Sequence, residues 1–161
     1  MSTLRLMSSV FEHNGSIPAK YTCDGDNKLS PPLQIFGAPE AAKSLVLLMD
    51  DPDIPEVKKQ QHGLEAFDHW VLFNIPPGLA EIAEGDSHGT MGAHSGGEIG
   101  YVGPCPPPEY EPKEHRYIFR LYALDTILTL EEGASRKEVV EAMEGHVLDT
   151  TELIGRYARN S

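Results

Sequence analysis

Six polar residues fall just after or at the start of apolar runs in this sequence: Asp51 and Asp53, His69, and then His115, Arg116 and Tyr117. Carboxylates beside imidazoles suit two chemistries. A carboxylate that accepts a hydrogen bond from a histidine favours the imidazolium and leaves the second ring nitrogen free to donate to an oxyanion. Alternatively, two histidines and two carboxylates could hold zinc and activate water, which would make a metal-dependent hydrolase. Other signatures are absent: there is no H-E-x-x-H, no phosphate-cradling G-x-x-x-x-G-K, no G-x-G-x-x-G and no G-x-S-x-G. Asp24-Gly25-Asp26-Asn27 opens like a calcium loop, but Lys28 occupies the next ligand position and Ile35 that of the bidentate acid.

The elements that must carry these residues read mainly as strands. Leu4 and Leu6 alternate with polar neighbours, Ser44–Met49 is a continuous apolar run, and His69–Ile75 and His115–Asp125 are β-rich and stop at turn signals. Alternation places His115, Tyr117, Phe119, Leu121 and Ala123 on one face of the last of these. In the second it predicts Trp70, Leu72 and Asn74 on one face, with His69, Val71, Phe73 and Ile75 on the other. Glu12–Pro32 and Gly85–Pro112 read as ordered loop, rich in glycine and proline. Near the end the period changes: Ser135 and Glu138 form an S-x-x-E capping box before Val139, Val140 and Met143, with Gly145 as a stop. A second helix is expected from about His146 to Arg159, with Leu148, Thr151, Ile154 and Tyr157 at helical spacing. Strands followed by a helical pair give an α+β, β-rich fold.

Composition bounds the function. The 161 residues suit one domain, 1–161, with its own core. A net charge of -12 argues against a nucleic-acid binder, which needs a basic stripe, and against an anionic membrane surface. No apolar run approaches the roughly 18 to 20 residues of a membrane span, and the start lacks a signal-like apolar region, so a cytoplasmic setting is expected. Cys23 and Cys105 have no metal-like spacing and read as reduced thiols, unless the fold brings them within bridging distance. The histidines at 13, 62, 88, 94 and 146 have no companion motif and read as exposed or structural.

Five segments in order resemble the phosphatidylethanolamine-binding protein family, in its bacterial and archaeal, Raf kinase inhibitor-like branch. They are Tyr21–Asn27 with Ser30-Pro31-Pro32-Leu33, Asp51-Pro52-Asp53-Ile54-Pro55, His69-Trp70-Val71 through Asn74-Ile75-Pro76, Gly100–Pro107, and His115-Arg116-Tyr117. The resemblance implies a large antiparallel sheet, a smaller sheet and peripheral helices. It also implies a noncatalytic pocket, without cofactor or metal, for phosphate-type anions such as phosphorylethanolamine, formed by Asp51, Asp53, His69, Gly103, Pro104, His115 and Tyr117. Backbone N–H groups near Gly103 and the Tyr117 hydroxyl are expected to join the histidines as donors. A protein partner docked on the pocket rim, a kinase or a protease, and a homodimer are further implications. The sequence departs from the family pattern at Glu56–Asp68, which is longer and charged, at Gln34-Ile35-Phe36 after Ser-Pro-Pro-Leu, and at His94-Ser95 before the glycine loop.

Overall fold

The computed structural model describes residues 2–159. Its strands are β1 (Arg5–Met7), β2 (Gly15–Ser16), β3 (Leu33–Phe36), β4 (Ser44–Asp51), β5 (Phe67–Ile75), β6 (Glu81–Ile82), β7 (Thr90–Met91), β8 (His115–Leu124) and β9 (Val147–Tyr157). The helices are α1 (Glu56–His62) and α2 (Arg136–Met143). A six-stranded sheet runs β2-β9-β8-β4-β5-β7, and a three-stranded sheet runs β1-β3-β6. The fold is β-rich α+β with one large and one small sheet, as expected. The large sheet is mixed, however, because the two-residue β2 pairs parallel to β9.

Strand β4 is buried along its whole length between β5 and β8, which explains its unbroken apolar run. Leu45, Leu47 and Met49 join Trp70, Leu72, Tyr117, Phe119 and Leu121 in the core between the sheets. Val46 and Leu48 point the other way, to Val71, Phe73, Val139 and Met143 beneath α2. The Ser135 capping box forms as expected, its hydroxyl accepting from the Glu138 N–H.

Two parts of the sequence reading are corrected. Residues Val147–Tyr157 form β9, paired antiparallel along β8, and no helix follows α2 among the described residues. Val147, Thr150, Thr151 and Ile154 are β-branched, and Gly155 would weaken a helix interior. Leu153 and Gly155 face inward, with Gly155 pressed on Ile17 and Phe11 so closely that any Cβ would collide. The two faces of β5 are also redistributed. Leu45 pairs with Ile75 and Leu47 with Leu72, then Met49 pairs with Trp70 and Asp50 with Asp68. Asn74, at φ 55°, belongs to the first irregularity, and its amide clasps Leu128 through both backbone groups. His69 is left without a partner on β4 at the second. These bulges return Ile75 to the inner face and turn His69 to the side of Trp70 and Tyr117.

Candidate functional site

The ends of β4, β5 and β8 converge at one rim of the large sheet, and a cavity of about 180 Å³ opens there. Asp51, His69 and His115 stand on its wall, with Asn27, Phe67 and Gly103 around them and Ile54 and Pro107 at the side. The two histidines are almost wholly buried. Each commits Nδ1 to an interior acceptor. His115 Nδ1 donates to Asp51 Oδ2 at 2.6 Å, and His69 Nδ1 donates to the Val102 carbonyl at 2.8 Å. The Val102 N–H in turn donates to the His69 carbonyl at 3.0 Å, so the bulged residue is clasped twice by one neighbour. His115 Nε2 is buried and without a partner.

Electrostatics separates the residues. Burial pushes the His69 imidazole below its ordinary range, outweighing the carbonyl bond and the nearby Asp51 charge. The expectation that a carboxylate pairs with a histidine therefore holds for His115 and not for His69. Tyr117 lies under both rings, edge-on to His69 at 5.3 Å and stacked on His115 at 6.3 Å between centroids. Its hydroxyl is buried without a well-formed hydrogen bond, and burial, then the Asp51 charge, drive its pKa far above the usual tyrosine range.

Asp53 is turned away from the cavity. Its carboxylate accepts from Arg116 Nε, Nη2 and the Arg116 backbone N–H, all at 2.8 to 2.9 Å, and that bonding holds it below the usual carboxylate range. Arg116 is the partner that removes it. Asp53 contributes indirectly, since its N–H donates to Asp51 Oδ1 at 2.8 Å. The set of two histidines and two carboxylates is thus split, and among the described residues no group of three or more His, Cys, Asp or Glu is placed to hold a metal ion.

The loop from Gly100 to Pro108 forms the far wall. Gly103 packs so tightly that a Cβ would lie 2.5 Å from the Tyr21 carbonyl oxygen, which explains the need for glycine. Its N–H is not free for a ligand, because it donates to the Asn27 carbonyl at 2.8 Å. Pro104 is behind the wall, its carbonyl accepting from the Cys23 N–H. The reading of Cys23 and Cys105 as reduced thiols is overturned: they form a disulfide, with Cα atoms 5.4 Å apart, that ties this loop to the Tyr21–Asn27 segment. The glycine and proline content of Gly100–Pro108 was itself the signal for a wall, and it covers Val102, Cys105 and Pro106; Asn27 and Phe67 were not singled out as wall residues from the sequence. Of the unassigned histidines, His94 is buried, accepting from the Gly96 N–H, and His13 accepts from the Ile154 N–H.

A family model described as phosphatidylethanolamine-binding protein matches residues 7–158. The chain belongs to this family. A UPF0098 protein of Methanothermobacter thermautotrophicus is 47% identical, covering 97% of this chain and 99% of its own. A UPF0098 protein of Chlamydia trachomatis serovar D is 41% identical over 98% of this chain and all of its own. The crystal structure of a phosphatidylethanolamine-binding protein homologue from Chlamydia trachomatis superposes with a TM-score of 0.90 at 39% identity, over 99% of this chain and 100% of that one. A carboxypeptidase Y inhibitor, solved with its cognate proteinase, shares the fold at 18% identity and a TM-score of 0.54, over 98% of this chain and 83% of that one.

Proposed function

We propose that the cavity at the β4, β5 and β8 ends is a noncatalytic site for a small oxyanion of the phosphate type, carried free or as a phosphoryl headgroup. One observation carries this reading. Both histidines place Nδ1–H on an interior acceptor, so Nε2 is the nitrogen left to each ring, and on protonation it becomes a donor. Asn27 on the wall supplies a neutral amide. The Asp51 charge is paired with His115, which lessens its repulsion of an anion. Tyr117 supports the two rings from below. Among the described residues no serine or free thiol stands on the cavity wall to act as a nucleophile. The family name, phosphatidylethanolamine-binding protein, points to the same ligand chemistry.

Because an anion is held best by imidazolium, affinity rises as pH falls. The test is an NMR titration with phosphate, phosphorylethanolamine and sulfate at pH 5.5 and 8.5, sulfate keeping its charge throughout. Pocket resonances should shift at low pH, weaken at high pH, and stay still in His69→Ala and His115→Ala. Equal affinity at both pH values contradicts the reading.

A second reading, a protein docked at the rim, is favoured by one feature: α1 buries none of its residues and stands beside the cavity mouth, where Ile54, Pro55, Lys58 and Leu64 line an adjoining groove. The structural likeness to a carboxypeptidase Y inhibitor is consistent with it. Capture of a kinase or protease that depends on α1 and persists in His69→Ala would support it. Among the described residues no helix is long and apolar enough to cross a membrane. A homodimer belongs to the same proposal, to be checked by light scattering, while the expected cytoplasmic setting stands against the Cys23–Cys105 disulfide, a bond that favours an oxidising compartment, and fractionation decides between them.

A further inference from the structure

The irregularity that turns His69 into the cavity creates an electrostatic conflict on the opposite face of the sheet. With His69 out of register, Asp50 of β4 stands directly across from Asp68 of β5. Like charges facing each other across a strand pair are destabilising, and Asp50 is almost completely buried. One nitrogen joins them: Arg136 Nη1 donates to Asp50 Oδ2 at 2.6 Å and to Asp68 Oδ1 at 3.1 Å. Arg120 on β8 adds a bond from Nε to Asp50 Oδ2 at 2.9 Å, and its other side is held by Glu152 of β9. Arg120 makes no bond to Asp68, so among the described residues Arg136 alone spans the two carboxylates.

Arg136 is well placed for this. It is the first residue of α2, fixed by the Ser135 capping box. The approach to the helix is tied to the sheet by Gly133 N–H to Met91 O and by Ala93 N–H to Ala134 O, both at 2.9 Å. Asp50 and Asp68 each precede a pocket residue, Asp51 and His69, whose side chains point to the other face.

We propose that Arg136 is a positioning residue for the cavity: by bridging Asp50 and Asp68 it holds the strand register that leaves His69 as the extra residue and aims it at the site. Without the bridge, nothing compensates the Asp50–Asp68 pair in the bulged register, and the register of the preceding residues, continued, would set Asp50 opposite His69 and Asp68 opposite Asp51 and send the imidazole to the wrong face. Burial already raises the Asp68 carboxyl above its usual range even with Arg136 beside it, a sign of how confined this charge is. The binding consequence rests on the anion-site reading; the positioning itself does not.

The experiment compares wild type, Arg136→Met, Arg136→Lys and Arg136→Met/Asp68→Asn by phosphate titration, by His69 ring resonances, and by exchange of the Val102 amide that bonds the His69 carbonyl. Arg136→Met is expected to weaken phosphate binding by about tenfold, in the range of coupled networks. It should also displace the His69 ring signals and speed Val102 exchange. Removing the repulsion with Asp68→Asn should restore all three, and Arg136→Lys should lie between. Wild-type His69 signals in Arg136→Met overturn the proposal, as does a loss that Asp68→Asn fails to rescue. If wild type binds no phosphate, the anion reading fails, while ring signals and exchange in phosphate-free protein still decide the positioning. Should Arg136→Met not fold, rescue of folding and of His69 signals in the double variant supports the proposal, and its absence overturns it.

Discussion

At the scale of residues, the site is a contrast between two histidines given different interior partners. His115 faces a carboxylate and His69 a carbonyl, so only the first has its positive form directly compensated. Burial pushes His69, and also the buried loop residue His94, below the ordinary imidazole range. For each, the unfolded chain takes up the proton more readily. Stability should therefore fall as pH drops below about 6.5, then flatten beneath the folded-state values. Urea unfolding in anion-free buffer at pH 7.5 and 5.5 reads this directly. The midpoint should be lower at pH 5.5, and the difference should shrink in His69→Gln; an unchanged midpoint in wild type would refute the assignment. Bound anion should reverse part of the loss, since it favours the charged ring. Asp51, His69 and His115 were legible in the sequence because polar residues ending apolar strands stand out. The turning away of Asp53 was not, because it depends on Arg116, a neighbour only after β4 and β8 have met.

At the scale of elements, legibility followed the strength of the local signal. The continuous run of β4, the alternation of β8 and the capping box of α2 each gave the right element. The faces of β5 did not follow from alternation, since an irregularity at His69 and another at Asn74 leave no mark in a period-two pattern. For β9, an apparent spacing of three outweighed β-branched content that argued for a strand. The position of α2 also has a measurable weight. Ser135→Ala removes the hydroxyl that caps the Glu138 N–H, and should cost about 1 kcal/mol. Because Arg136 begins the same helix, chemical shifts at Asp68 and Asp50 should move as well, whereas a purely local cap would leave them in place. Urea unfolding and a two-dimensional amide spectrum distinguish the two.

At the scale of the whole molecule, contacts distant in sequence dominate. The Cys23–Cys105 bond spans 82 positions and closes the pocket wall, and the native protein should show no free thiol by thiol-reactive dye until denatured and reduced. Reduction should lower stability by about 2 to 5 kcal/mol, with backbone exchange rising first in Gly100–Pro108 and Tyr21–Asn27. Retained stability on full reduction would assign the bond a minor role. The same long reach governs β9. This last strand lies between β2 and β8, its Gly155 seats Phe11 and Ile17, and its Asp149 accepts from the backbone N–H groups of Thr3 and Leu4. A nascent chain still short of β9 thus carries an open β8 edge and uncovered core side chains from its first residues. Completion of the fold must wait for translation to pass Tyr157, so an interrupted message yields a polypeptide for chaperones and proteases to handle instead of a smaller working protein.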